Sequence, residues 1–448
     1  MSLKKRQLSL SVFVQLYGTH ANAWRRPDVK AGGEPDFNEW LKIVKTLERG
    51  KFDFAFFADF VGNGGDSVEK NARRPRGGGF EPTTLVAALA HATDKIGLVT
   101  TVNTNFNEPY NLARRLASLD HITQGRLGWN VVSSLSDGAA KAFGADGLDH
   151  EGRYERAGEF IDVSKQLWDS WDDDAFDGVN KDTGVFLNSS VAHPVHHQGK
   201  HFQIDALLDT ARPIQGYPVF FQAGNSDRGR EFAAQYAEVI YAAAQTIEEA
   251  KAYYADVKSR LAKYGREPED LVVTPGLYYF IGKTREEAQE KYQSFLNAVD
   301  LSERAFLQGV DVSKYSLDDK LPENIPEPAN GIGRWRQMVA LARRENLTIR
   351  ELILRFSTVQ GHRIIVGTAT DIADQIEDWF LNFAADGFNL KPAVVPEDLD
   401  AFIDEVVPQL QQRGIFRKEY EGKTLRENLG LKRPLNQHHL KVSSSKAA

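Results

Sequence analysis

Residues 219–234 read VFFQAGNSDRGREFAA, and the run changes character halfway with no proline or long loop between its two parts. Val219, Phe220 and Phe221 are β-branched or aromatic and follow Gly216-Tyr217-Pro218, the pattern of a turn and then a short buried strand. Beyond them Gly224 permits a tight bend, Asn225 or Ser226 can cap, and Arg230, Phe232, Ala233 and Ala234 continue at helical spacing. A strand that opens a helix through small polar residues presents free backbone N–H groups and the positive end of a helix dipole, which suits phosphate. Glycine and serine also populate ordinary strand-to-helix turns, so this stretch alone leaves both readings open.

The same rhythm runs along the chain. Apolar strand patterns fall at residues 8–16, 53–58, 96–103, 126–133, 219–222, 239–243, 272–281 and 387–395, and helical patterns at 37–49, 82–93, 109–124, 153–171, 228–236, 247–264, 285–298 and 371–385. Eight strands interleaved with helices predict an α/β fold, a (β/α)8 TIM-type barrel. A barrel of this kind takes about 250 residues, so 448 residues require insertions. Segments 172–212 and 302–356, after the fourth and seventh strands, break the rhythm and are the expected insertions. Residues 1–436 are then one domain, with an arm at about 413–436 and a polar, disordered tail at 437–448.

Composition narrows the function. Fifty-five basic against 62 acidic residues leave a charge of −7, which argues against a nucleic-acid or membrane-surface protein. No apolar run approaches the roughly 18 residues of a membrane span. The start MSLKKRQLSLSVFVQLYG runs straight into strand-like alternation, so no signal peptide is expected. With no cysteine there is no disulfide, thiolate nucleophile or cysteine-held metal, and the expected location is the cytoplasm.

In such a barrel the chemistry gathers at the C-terminal ends of the strands. Those ends carry Tyr17-Gly18-Thr19-His20 and Trp24, then Asp59 of FFAD, Asn103 of TTVNTN, Asn130 inside GWNVVSS, and QAGNS. Each has a plainer reading. Asp59 can be a turn residue, Trp24 can simply pack, and Asn130 can belong to a core network, although a buried amide needs partners at both ends. His150 and Tyr154 in HEGRYERAGEF stand four apart, on one face of a helix or at its exposed start. His193, His196, His197 and His201 lie in the first insertion without fixed ligand spacing, and no metal is assigned to them.

Taken together, HANAWRRP, LERGKFDFAFFAD, EPTTLVAALAHATDKIGL, PYNLARRLASLDHITQGRLGWNVVSS, HEGRYERAGEFIDVSKQLWDSW, VFFQAGNSDRGREFAA, ADGFNL and VVPQLQQRGIFRKEYEGKTLRENLGL resemble the flavin-dependent monooxygenases of the bacterial-luciferase superfamily. The branch is that of nitrilotriacetate, dibenzothiophene-sulfone and long-chain-alkane monooxygenases. The resemblance spans almost the whole chain. It implies a barrel that receives reduced FMN from a separate NAD(P)H-dependent flavin reductase and uses O2 to oxygenate a small substrate. Carried over onto this sequence, Asp59, Asn103, His150, Tyr154, Asn225 and Ser226 are the expected FMN contacts, with QAGNS around the phosphate. Asn103 and Asn225 depart from the small residues, commonly serine, of those positions.

His20 is the expected hydrogen-bonding partner of the oxygen species or substrate, because imidazole donates or accepts near neutral pH. Asn130 joins it as a catalytic candidate, and Trp24 would wall the substrate pocket. Arg73, Arg74 and Arg76, followed by three glycines, predict a loop that binds an anionic substrate, with a solvated basic loop as the plainer reading. The segment RGIFRKEYEGKTLRENLGL, residues 413–431, predicts an arm packed on a neighbouring subunit of a homodimer or homotetramer, or else a strap on its own barrel. A deazaflavin-dependent dehydrogenase, a carboxylate hydrolase and a non-catalytic flavin-binding barrel are the rival readings.

Overall fold

The computed structural model describes residues 6–20, 22–32, 36–59, 61–62, 68–72, 79–133, 137–144, 150–299, 301, 306–307, 310–328, 332–359 and 361–439. Its strands are β1 (Ser9–Phe13), β2 (Phe54–Phe57), β3 (Gly97–Asn103), β4 (Leu127–Val132), β5 (Val195–Gln198), β6 (Gln203–Ala206), β7 (Val219–Gln222), β8 (Val239–Ala242), β9 (Val272–Ile281), β10 (Phe306–Leu307), β11 (Val310–Asp311), β12 (Arg363–Gly367) and β13 (Gly387–Pro392). Eight of them, β1 to β4, β7 to β9 and β13, pair in parallel and close into a barrel where β13 meets both β1 and β9. These are the eight strands that the apolar rhythm predicts.

Period-two alternation builds two cores. Phe54, Phe56, Val99, Val219, Phe221, Val239 and Val272 fill the barrel interior. Leu10, Val12, Leu98, Trp129, Phe220, Phe388 and Leu390 face outward under the helices. Helix starts follow local chemistry. Glu81 accepts from the Thr83 and Thr84 amides ahead of Pro82–His91, and Thr368 with Asp371 forms a capping box for Ala369–Leu381.

The first insertion holds the β5–β6 hairpin and the isolated bridges Trp171 to Ala192 and Asn180 to Val185. Its histidines disperse over separate carboxylates: His193 on Asp172 at 3.1 Å, His196 on Asp205 at 2.9 Å, His197 on Glu159 at 3.1 Å and His201 beside Glu155 at 3.7 Å. The second insertion contains the helices Ile332–Arg344 and Ile349–Val359 around an apolar cluster of its own that includes Met338, Leu341, Leu352 and Phe356. It docks on the barrel through Gln337 Nε2, which donates to the Ala243 carbonyl at 2.5 Å.

Three features depart from the sequence reading. First, β12 lies where no element was expected. It pairs with Leu277–Ile281 of β9, beyond the point where β8, paired with Val272–Pro275, stops.

Second, the segment expected to reach a neighbouring subunit closes the N-terminal end of its own barrel. Leu425 and Leu431 plug the interior, Arg417 pairs with buried Asp53 at 2.5 Å, and Arg426 pairs with Glu238. The strap reading holds because these apolar side chains are already buried within the chain.

Third, the tail is ordered in its first residues. The Gln437 amide donates to Asp169 at 3.1 Å, His438 stacks on His193 with ring centres 4.0 Å apart, and His439 meets Asp172 at 2.9 Å. Residues 440–448 lie outside the described residues. Among the described residues no helix is long and apolar enough to cross a membrane.

Candidate active site

The quoted stretch folds as its sequence implies. Strand β7 ends at Gln222, and Ser226 caps the helix Asp227–Tyr236, its Oγ accepting from the Gly229 amide at 3.1 Å. The carbonyls of Gly224 and Asn225 are held by the Tyr253 hydroxyl at 3.1 Å and by Arg230 Nε at 3.2 Å, which fixes the peptide planes of the turn. A Cβ on Gly224 would stand 2.6 Å from Gln222 Nε2 and 2.9 Å from the Gly229 Cα, so only glycine fits this bend. At the turn Gln222 Oε1 and Asn225 Oδ1 are buried without a partner among the described residues. Such atoms call for a partner, whether a water, an ion or a ligand.

Tyr154 comes to this turn from the helix His150–Trp168, its ring 5.4 Å from that of Phe232. Arg228 sits over the Tyr154 ring at 5.6 Å and puts a guanidinium at the helix start. The sequence reading passed over Arg228. A basic residue in the first turn of a helix opposes the dipole unless an anion is to be bound there, and that was the available signal. His150 opens the same helix as Tyr154; its side chain is outside the described residues.

At the other strand ends the polar groups face the barrel interior. Asn130 donates from Nδ2 to the Thr101 hydroxyl at 3.1 Å, while its Oδ1 is buried with no donor among the described residues. Asn103 caps the turn Thr104–Phe106 by accepting from the Asn105 amide at 2.8 Å, so at least one lone pair of this candidate is engaged in structure. Asp59 lies two residues past β2 and is half-buried. Tyr241, against Phe56 at 4.6 Å, has a buried hydroxyl without a partner, and burial raises its pKa.

His20 is 3% exposed and packs edge-on against Phe295 at 4.7 Å. Its Nδ1 accepts from the Asn22 amide at 3.2 Å, which places the ring proton of the neutral form on Nε2. Trp24 has a buried indole N–H with no acceptor. Arg73, Arg74 and Arg76 fall outside the described residues.

The sequence reading also missed Lys391 and His362. Lys391 points inward from β13, with burial and the nearby Arg334 charge lowering its pKa to about 7. His362 is held well below the ordinary imidazole value by burial, with Lys391 and Arg334 adding to the effect. Lys391 was detectable in principle, since a lysine between Leu390 and Pro392 takes the inward position of an apolar strand.

Comparison with known proteins agrees with this geometry. The family model described as luciferase-like monooxygenase matches residues 17–386. Nitrilotriacetate monooxygenase component A of Aminobacter aminovorans is 45% identical over 445 residues, covering 96% of this chain and 98% of the relative. The N-acetyl-S-(2-succino)cysteine monooxygenase of Bacillus subtilis (strain 168) is 41% identical over 445 residues, covering 98% of this chain and 100% of the relative. Among solved structures, DmoA from Hyphomicrobium sulfonivorans superposes with a TM-score of 0.84 at 32% identity, covering 94% of this chain and 92% of that one. A phosphate-suited turn on one wall of a polar-lined barrel mouth, with full-length relatives on the same frame, identifies the chain as a flavin-dependent monooxygenase belonging to the luciferase-like monooxygenase family.

Proposed function

We propose that this chain is the oxygenase component of a two-component system that takes FMN reduced by a separate NAD(P)H-dependent flavin reductase and oxygenates a small carboxylate-bearing substrate with O2. The observation that carries the reading is the turn 222–229, where a capped helix start, a glycine with no room for Cβ and two orphaned polar atoms meet Tyr154 and Arg228. Those groups fit a flavin phosphate. When bound, the reduced flavin supplies the electrons that activate O2.

The chain's own residues hold and shield that chemistry. Ser226 Oγ accepts from Gly229 and keeps its proton for a phosphate oxygen, while Arg228 offsets the phosphate charge. Asn130 Oδ1 would accept from a ring N–H of a flavin held inside the barrel, and His20 would serve as the hydrogen-bonding partner of the oxygen species or substrate. Trp24 is proposed to wall the substrate pocket. Asp59, Asn103 and His150 are proposed as further flavin contacts. The substrate class is supported by relatives named for nitrilotriacetate and N-acetyl-S-(2-succino)cysteine, both polycarboxylates.

The protein is further proposed to work in the cytoplasm as a homodimer or homotetramer. The exposed Val179, Val185 and Phe186 of the first insertion offer an apolar surface for assembly.

The test supplies FMN, a flavin reductase and NADH aerobically with either polycarboxylate and reads product mass. A product that gains oxygen or splits in a flavin-dependent way is expected. Flavin binding without any substrate-dependent product overturns the reading.

A further inference from the structure

Strand β13 carries Asn389 and Lys391 into the barrel, while Phe388 and Leu390 face the outer core. Lys391 is opposite Tyr278 of β9, and the ring of Phe13 from β1 lies beneath its ammonium. It is 7% exposed. Its Nζ stands 3.9 Å from the Phe13 ring centre and 5.7 Å from that of Tyr278. Among the described residues no carboxylate pairs with it.

Its neighbours are cationic or neutral. The His362 ring lies where a Cβ on Gly276 would be, 2.4 Å from Nδ1, so glycine at 276 makes room for it. His362 Nδ1 and Asn389 Oδ1 are buried without partners among the described residues. Arg334, from the helix Ile332–Arg344, acts electrostatically on Lys391, His362 and Tyr278. A buried ammonium with no anion beside it is costly, and two aromatic faces offset only part of that cost. Among the described residues, Lys391 lacks the anion that would offset the rest.

Two anions are candidates, and position separates them. The phosphate turn lies at the end of β7, whereas Lys391 is on β13, with β8 and β9 between them around the barrel. The helix Ile332–Arg344 bridges the two places, since Gly333 abuts Asn225 and the next residue is Arg334. We propose that Lys391, with His362 and Arg334 beside it, forms a carboxylate-binding subsite for the substrate, separate from the flavin phosphate site. This rests on the oxygenase reading for the identity of the ligand as substrate, but the subsite itself stands on the side chains alone.

The ammonium form must bind the carboxylate, and the groups acting on Lys391 are Tyr278 from β9, His362 from just before β12, Arg334 from the helix Ile332–Arg344 through its charge, and the uncharged Phe13 from β1. Of these, Lys391 is the one that changes charge near pH 7. Tyr278 is pushed up to about 12 and His362 stays neutral. Carboxylate binding above pH 7 therefore draws in a proton.

The experiment is calorimetric titration of the full chain with nitrilotriacetate and with N-acetyl-S-(2-succino)cysteine, with and without oxidised FMN, for wild type and Lys391→Met. Expected are saturable binding of at least one probe to wild type, a Kd at least tenfold higher in Lys391→Met, and FMN affinity unchanged by the substitution. Repeating the wild-type titration at pH 8 in buffers of different ionisation enthalpy should show net proton uptake, a readout that needs no variant. The subsite is refuted if neither probe binds wild type, if both forms bind alike, if no proton is taken up at pH 8, or if Lys391→Met weakens FMN tenfold. Carboxylate binding through Lys391 in a chain that never yields oxygenated product would instead sink the oxygenase reading and leave the subsite standing.

Discussion

Ser226 and Gly224 do different work in one turn, and substitution separates the two roles. Ser226→Ala removes a helix cap, so it should lower stability by about 1 kcal/mol. It should also weaken FMN roughly tenfold, the equivalent of one hydrogen bond to a charged group. Thermal melts and flavin titration read the two losses separately, and unchanged FMN affinity would place the phosphate elsewhere. Lys391 gives a prediction with a definite sign. Its folded pKa of about 7 lies below the unfolded lysine value, so between those two pH values the unfolded chain binds the extra proton. Stability from this group is therefore lowest below pH 7 and recovers as pH rises through the lysine range. Without carboxylate present, Lys391→Met should stabilise the protein at pH 6 by on the order of 3 kcal/mol, with the gain fading toward pH ~10. A destabilised variant at pH 6 would mean that the ammonium already has an internal partner. The capping serine was readable from local chemistry. The lysine's isolation was not, because it depends on which side chains four other segments bring to it.

The strap that plugs the barrel shows how an element can be recognised and yet misplaced. Its mixture of Phe416, Tyr420 and Leu425 with dense charge suits either an interface or a polar-rimmed barrel end, and composition alone does not choose. In the structure Leu425 is fully buried against the barrel interior, and the Tyr420 hydroxyl donates to the Phe52 carbonyl at 2.7 Å. Leu425→Ala should cost about 2–5 kcal/mol in denaturant unfolding. The loss should be the same at low and high protein concentration, because the contact is intramolecular; a concentration-dependent loss would restore the subunit arm. Strand β12 was passed over for a related reason. RIIVG is short and only partly buried, and it becomes a strand because β9 runs on past the end of β8 and leaves an unpaired edge for it.

Across the molecule the barrel and the second insertion have separate apolar clusters. The helices Ile332–Arg344 and Ile349–Val359 should therefore open below the energy of global unfolding, while β2, β3 and β4 exchange only with it. Native-state hydrogen exchange tests this, and equal protection in both regions would show one cooperative unit. The eight barrel strands and most of the helices were legible from the sequence, because hydrophobic periodicity and capping act within a few residues. The placement of His20, Asn130 and the QAGNS turn at or just past strand ends was legible too, since a closed barrel brings strand ends together whatever their coordinates. Only the tertiary structure put Arg228 against Tyr154, turned the strap onto its own barrel and left Lys391 facing Phe13, Tyr278, His362 and Arg334 without an acid among the described residues. Those outcomes depend on contacts between residues far apart in the chain, and the burial and charge that each side chain meets are set by those contacts, which no local pattern encodes.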